Sequence, residues 1–396
     1  MSDRAAPVRA EHGEMCARVE ALSEGWRARA GATERARSLP RETIVELFDA
    51  GLLQIIVPRR YGGLELDWPT MVEAARVAAR TCASTAWVMS IVGGHAGIAG
   101  RFSRDCQEVM FADGPRQLFS TASVTATGTI RKEEGGFRVH GTWRFSSGID
   151  HATWLIVSGR CEDHPAPPVP NLFLLAVRPG QVRVEDTWHV TGMRGTGSKD
   201  VVFDNLFVPD GWGVALPDCF GARPEGAQVN PGSYLFEVPF IPYATSAIIG
   251  PILGCAEGAY HEHVAALRKR IDSSASAPSL PLGTAQERLA ESAAELSCAR
   301  LLYDSIVQTL HRAGGDRRPL SSEEWLALKR DRAYLARLCV NAVQRLVLHM
   351  GASSGFEGHP VQRHWRDLQS MTSHIDVNWD QAMLAYASHL LGLPRE

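Results

Sequence analysis

The apolar positions change their period twice along the chain, and each change marks a boundary. Up to about residue 116 they recur at helical spacing, as Ile44, Leu47 and Phe48 do at i, i+3 and i+4. Ser38-Leu39-Pro40 opens that helix with a proline near its first turn, and Gly51 can close it in a left-handed conformation. Tyr61-Gly62-Gly63 marks a turn. Asp67 is then placed to cap an Ala-rich helix over about 69–81, and a further apolar helix is predicted over about 84–103. From about 117 to 212 the texture becomes short runs of Val, Phe, Trp and Thr broken by Gly and Pro. Two of these, Thr129-Ile130-Arg131-Lys132 and Gly136-Phe137-Arg138-Val139-His140, flank a Glu-Glu-Gly turn and predict a hairpin. Further strands are predicted at 154–157, 172–177 and 201–203.

Residues 213–240, rich in Gly, Pro and Asn, read as a long connection, and helical spacing returns near 243. Leu335, Leu338, Ala342, Val343 and Leu346 then share one face. Residues 272–283 read as a breaker-rich loop between two helices, with Thr284 and Glu287 forming a capping box. The expected fold is α+β and multidomain. It comprises an N-terminal helical domain (1–116), a middle β-barrel or sandwich (117–212), a connecting segment (213–240) and a C-terminal helical bundle (241–396).

Composition narrows the partners. With 396 residues, 45% of them hydrophobic, the chain can bury a sizeable core. A formal net charge of -3 without like-charge runs predicts no nucleic-acid or membrane binding. The cysteines, at 16, 82, 106, 161, 219, 255, 298 and 339, form no C-x-x-C pair and are expected as free thiols in a cytoplasmic protein. The polar N-terminus has no signal-peptide pattern, and no apolar run is long enough to span a membrane.

Several common engines are missing. There is no phosphate-loop motif, no G-x-G-x-x-G within a βαβ unit and no G-x-S-x-G elbow. His261 and His263 point to different helix faces, which argues against a shared metal. Three constellations remain. Trp143-Arg144-Phe145-Ser146-Ser147-Gly148 ends a strand with hydroxyls beside a glycine, where a flat ligand can approach closely. Gly192-Met193-Arg194-Gly195-Thr196-Gly197-Ser198 is a turn whose backbone amides can cradle an anion or a ring edge. The third is His349-Met350-Gly351-Ala352-Ser353-Ser354-Gly355-Phe356, followed by Arg363-His364-Trp365-Arg366-Asp367 and then by Ser370-Met371-Thr372-Ser373-His374. Its small residues leave room for a phosphate or a partner subunit. Its last histidine can exchange a proton near neutral pH.

Together with Tyr61-Gly62-Gly63 and the α–β–α order, these stretches resemble the acyl-CoA dehydrogenase fold, whose C-terminal part is a four-helix bundle. The resemblance implies a bound flavin and a homotetramer. Many dehydrogenases of this family carry a catalytic glutamate a little after the Arg-Asp pair. Here residues 370–377 contain none and offer His374 instead. With Ala86-Trp87 followed by His95, the pattern is more similar to the reduced-flavin monooxygenases of this fold. These are oxygenase components that take FMNH2 or FADH2 from a separate NAD(P)H:flavin reductase and form a C4a-hydroperoxide with O2.

The resemblance implies hydroxylation of a phenolic or polycyclic aromatic substrate; N- or S-oxygenation and acyl-CoA dehydrogenation are its alternatives, and a catalytically dead scaffold is another. By the same resemblance, His374 would supply a proton, and Ser147 rather than Ser146 would meet flavin N5. His95 would orient or deprotonate a phenol, with Trp87, Thr121 and Ser123 nearby. Arg270, Gly351 and Arg366 complete the candidate cofactor contacts.

Overall fold

The N-terminal apolar periodicity folds into α1 (Ala10–Ala36), α2 (Arg41–Asp49), α3 (Trp68–Ala79), α4 (Ala83–Trp87), α5 (Ala96–Ala99) and α6 (Arg104–Met110). The structure is a computed structural model and describes residues 10–125, 127–162, 171–273 and 282–393. The local signals act as expected. Gly51 follows α2 with φ +73°, and the Asp67 side chain accepts the Thr70 backbone N–H at 3.1 Å to cap α3. The single helix expected over 84–103 is instead broken, because Val88–Val92 forms a π turn and Gly93–His95 a 3-10 turn. Leu53 and Met71 press on Gly93 and Gly94 there, and Ser90 Oγ donates to Ala247 O at 2.8 Å. A π turn inside a helix often marks a functional position.

The middle unit contains β1 (Phe119–Ala122), β2 (Val124–Thr125), β3 (Thr129–Glu133), β4 (Gly136–Ser146), β5 (Trp154–Arg160), β6 (Leu172–Val177), β7 (Arg183–Glu185), β8 (Lys199–Pro209) and β9 (Gly213–Ala215). One sheet runs β1-β5-β6-β9 with β1 and β5 parallel; the other runs β2-β4-β8-β7 with β3 paired to β4. The alternative left open by the sequence resolves as a sandwich. Along β5 and β6, Leu155, Val157, Leu175 and Val177 meet Val139, Trp143 and Phe203 of the facing sheet. Their alternate neighbours Trp154, Ile156, Leu174 and Ala176 join the helical core. A period of two thus lets one sheet serve two cores.

The connection contains α7 (Leu216–Phe220) and short 3-10 turns, and a buried arginine fixes it. Arg101 donates from Nε to Cys219 O at 2.5 Å and from Nη1 to Leu235 O at 2.6 Å. Its Nη2 reaches Val238 O at 3.0 Å and also Gly221 O. Four carbonyls of an irregular segment therefore gain a donor away from water.

The C-terminal unit is α8 (Ile241–Ser246), α9 (Ile249–Ser273), α10 (Leu282–Gly315), α11 (Ser322–His349), α12 (Pro360–Thr372) and α13 (Trp379–Leu390). Helices α9–α12 form the expected bundle, and α9 also packs on α3. Gly250, Gly254 and Gly258 recur every four residues along that contact. A Cβ at Gly254 would stand 1.9 Å from Arg76 O, so only glycine allows this approach. Two sequence expectations are corrected here. Thr284 lies inside α10, so it does not cap that helix with Glu287. The capping box is instead Ser321–Glu324 at α11, with reciprocal bonds of 3.1 and 2.8 Å. Most of the loop expected at 272–283 falls outside the described residues; Asp272 and Ser273 still belong to α9. All eight cysteines are free.

Candidate active site

The end of β4, the start of β8, the α4–α5 break and the turn after α12 come together around Trp87, which marks the candidate cleft. At the end of β4 the register shifts between Trp143 and Ser146, and Phe145 takes φ +69°. A bulky residue rarely adopts that conformation, and such outliers cluster at functional sites. The bulge sends the two serines in different directions. Ser146 is fully buried, and its Oγ lies 2.7 Å from Ser120 Oγ. Ser147 Oγ instead accepts Trp87 Nε1–H at 3.2 Å and lies 2.7 Å from Ser198 Oγ, which is 2.7 Å from Thr196 Oγ1. A chain of hydroxyls therefore ends at a half-buried serine beside an indole. Phe145 stays exposed, edge-on to Trp188 at 6.2 Å between centroids.

His374 enters from the other side. Its ring is T-shaped against Trp87, with centroids 5.8 Å apart. Trp87 thus links Ser147 and His374, residues 227 positions apart in the chain. Burial pushes the imidazole below its ordinary value; the Asp376 carboxylate pulls it back up, and Arg332 adds to the depression.

A second pair forms where the Gly93–His95 turn meets β1. His95 Nδ1 lies 2.8 Å from Phe119 O, so Nδ1 carries the proton and donates it. The lone pair is then on Nε2, which faces Thr121 Oγ1 at 3.4 Å. Burial lowers His95 to about 4, against the opposing effect of the Phe119 hydrogen bond, so the ring is neutral at pH 7. Adjacent residues of β1 serve the two groups: Ser120 bonds Ser146 and the Ser147 carbonyl, while Thr121 faces His95.

The structure brings together Trp87, His95, Thr121, Ser147 and His374, and buries Ser146 behind them. Ser123 is exposed beyond the end of β1. Arg366 makes its bonds within the chain. Its guanidinium is committed to Glu34 and to Thr191 O at 2.6 Å, while Asp367 Oδ1 accepts the Met193 N–H at 2.6 Å. The Arg-Asp pair clasps the 192–198 turn to α12. Ser198, Ser120 and Asp376 were missed; only Ser198, at the end of the glycine-rich turn, carried a signal.

Arg270 lines a separate cavity of about 320 Å³ with His263, Lys269, His349, Met350 and His359. Gly351 follows Met350 there with φ +64°. His263 is buried and its Nδ1 has no hydrogen-bond partner. Among the described residues no group of acidic, histidine and cysteine side chains is arranged to hold a metal, and no helix is long and apolar enough to cross a membrane.

Residues 10–106 match the acyl-CoA dehydrogenase N-terminal domain and residues 246–379 match the C-terminal domain. The chain belongs to the acyl-CoA dehydrogenase family. It is 31% identical over 383 residues to a pigment production hydroxylase of a Rhodococcus strain, covering 96% of this chain and 97% of the relative. It is 30% identical over 394 residues to the oxygenase component of an FADH2-dependent resorcinol hydroxylase of Rhizobium, covering 96% and 95%. The crystal structure of the HsaA monooxygenase of Mycobacterium tuberculosis superposes with a TM-score of 0.89 at 29% identity, covering 97% of this chain and 100% of that one. Within the family, this chain is a reduced-flavin-dependent monooxygenase.

Proposed function

We propose that the protein is an oxygenase component that hydroxylates a phenolic ring, using FMNH2 or FADH2 delivered by a separate NAD(P)H:flavin reductase. One oxygen atom of O2 enters the ring and the other leaves as water, while the flavin is oxidised. The observation that carries this reading is the tautomer of His95. With Nδ1 tied to Phe119 O, its Nε2 is a fixed acceptor for a phenol hydroxyl, on the strand that also supports Ser147.

The residues fit a flavin. The hydroxyls of Ser147, Ser198 and Thr196 can donate to or accept from the polar rim of the ring, and Phe145 offers an aromatic edge beside them. Reduced flavin supplies the electrons that activate O2. Ser147 would hold the flavin ring by its polar rim, buried Trp87 and Met371 would limit water, and His374 would supply a proton there. His95 would orient the phenol and draw its hydroxyl proton toward Nε2, which leaves electron density on the oxygen and makes the ring a better nucleophile.

Lys269 and Arg270 suit the cavity to a flavin phosphate. His359 at one end of α12 lines the cavity, and His374 follows the other end, roughly 20 Å away at 1.5 Å per residue. In a homotetramer one copy's cavity can serve a neighbour's cleft. Exposed Leu348, Phe356, Leu384 and Leu391 support such association. Arg270→Ala is expected to weaken flavin binding by about tenfold, in line with loss of one charge-assisted contact, as read by fluorescence titration.

The test combines the chain with a flavin reductase, NADH and O2, and screens phenols, amines, sulfides and acyl-CoAs. Hydroxylated phenols are expected. Oxygenation confined to amines or sulfides, or flavin reduction by an acyl-CoA, would overturn the reading. His95→Asn is expected to lower kcat/KM for the best phenol by about 100-fold, the scale of a positioned proton acceptor, with NADH oxidation little changed.

A further inference from the structure

The 3-10 turn after α12, Ile375–Val377, carries a carboxylate that the reaction as described does not use. His374 caps this turn: its Nδ1 accepts the Asp376 backbone N–H at 3.3 Å. An accepting Nδ1 has a lone pair, so the neutral ring carries its proton on Nε2. The Asp376 carboxylate Oδ2 lies 3.4 Å from the same Nδ1. A doubly protonated ring can no longer accept the backbone N–H, but its Nδ1–H meets this carboxylate at nearly the same distance. One ring position thus offers a partner to each protonation state.

We propose that Asp376 is the positioning residue of His374, receiving its Nδ1–H whenever Nε2 gives up a proton to the cleft. The inference rests on the reading of His374 as the proton donor. The step balances without a further reagent. Starting from the charged ring, Nε2–H breaks and its electron pair stays on the ring, which is left as the neutral Nδ1–H tautomer held by Asp376, in place of the Nε2–H tautomer that accepts the backbone N–H. Nε2 then holds a lone pair ready for the next proton from solvent.

Arg332 and Lys329 on α11 face the pair, and from α4 the uncharged Trp87 ring packs on His374. Arg332 is fully buried. Its Nη1 donates to Thr245 Oγ1 at 2.5 Å and to Ser246 Oγ at 3.1 Å, and its Nε has no partner. Two hydroxyls hold this guanidinium in place, so its positive charge is not neutralised by the groups it bonds. Burial pushes the Asp376 carboxyl above its ordinary value, while His374, Arg332 and Lys329 pull it back toward the ionised form. The same Arg332 charge disfavours the imidazolium. Asp376 is the carboxylate that opposes it.

The experiment follows the His374 ring by NMR in the full-length protein with labelled histidine, assigned by the signal missing in His374→Asn. In Asp376→Asn the His374 titration is expected to move to lower pH, and in Asp376→Glu to return toward that of the unsubstituted protein. Hydroxylated product per NADH should fall by about tenfold in Asp376→Asn, less than removal of a general acid itself costs. A purely structural aspartate would leave the titration where it is, and that result overturns the inference. If the titration moves but no phenol is hydroxylated, the proposed function fails and the pairing stands. If it does not move while His374→Asn abolishes product, the reverse holds.

Discussion

His374→Asn is expected to lower aromatic hydroxylation by about 100-fold or more, the scale of a positioned proton donor, while NADH is still consumed. The geometry gives the reason. Trp87 and His374 form one wall, with Trp87 Nε1–H on Ser147. Asparagine can keep the contact with Trp87 and the cap on the Asp376 N–H, yet it has no proton to give near pH 7. Reduced flavin should still bind, because the Ser147–Ser198–Thr196 hydroxyl chain is untouched. Its electrons then reach O2 without product and leave as hydrogen peroxide. The measurement is product and peroxide formed per NADH, in the presence of the best phenol. An unchanged product ratio would remove His374 from the chemistry. The pH dependence follows from the same group. Burial and Arg332 hold its value below the ordinary histidine range, so the charged ring becomes scarcer as pH rises. Product yield should fall as pH rises through that lowered value, below about 6.5, in the unsubstituted protein, and the asparagine variant should lose that dependence.

The parts of this site that could be read from sequence were those set by local rules. Asp67 caps α3 because a carboxylate three residues before a free N–H is a local arrangement. The hairpin at Glu133–Gly136 and the alternation along β5 and β6 are local too. His374 could be singled out because it stands where a dehydrogenase of this fold can carry its glutamate. What could not be read depends on partners far along the chain. The break between α4 and α5 is set by Leu53, Met71 and Ala247, none of which belongs to that helix. Nothing near Arg366 in the chain pointed to its partner Glu34, 332 positions away. Ser146 and Ser147 are adjacent and chemically identical. Only the bulge at Phe145 decides that one is buried and the other meets Trp87. Asp376 had no motif; it matters because α11 brings Arg332 against a turn that holds His374. The chemistry was legible as residue types, and its wiring was not.

The fold itself is expected to fail on acidification between about pH 6.5 and 4, with net uptake of about two protons at pH 5. Among the described residues, three histidines carry the largest downward shifts. Burial lowers His95 and His263 to about 4 and His364 to about 3. Below their ordinary value of 6.5, unfolding lets each take a proton that the folded chain refuses, so stability is full above about 6.5 and declines as pH falls toward those values. Asp367 works the other way. Burial raises it to about 6, against the Met193 hydrogen bond, so the folded chain holds a proton there that the unfolded chain releases at pH 5. Three protons gained and one lost leave about two, or about 3 kcal/mol per pH unit. Urea midpoints measured at pH 7 and pH 5 should therefore differ widely, and equal midpoints would exclude buried neutral histidines as the cause. Two variants separate the contributions by sign. His364→Gln removes one histidine from the uptake and should flatten the dependence by about one proton. Asp367→Asn keeps an acceptor for the Met193 N–H but cannot hold the opposing proton, and it should steepen the dependence by about the same amount. Loss of activity on acidification toward pH 5 would then follow unfolding, whereas the loss assigned to His374 comes on raising the pH and leaves the fold intact; circular dichroism recorded alongside activity tells the two apart.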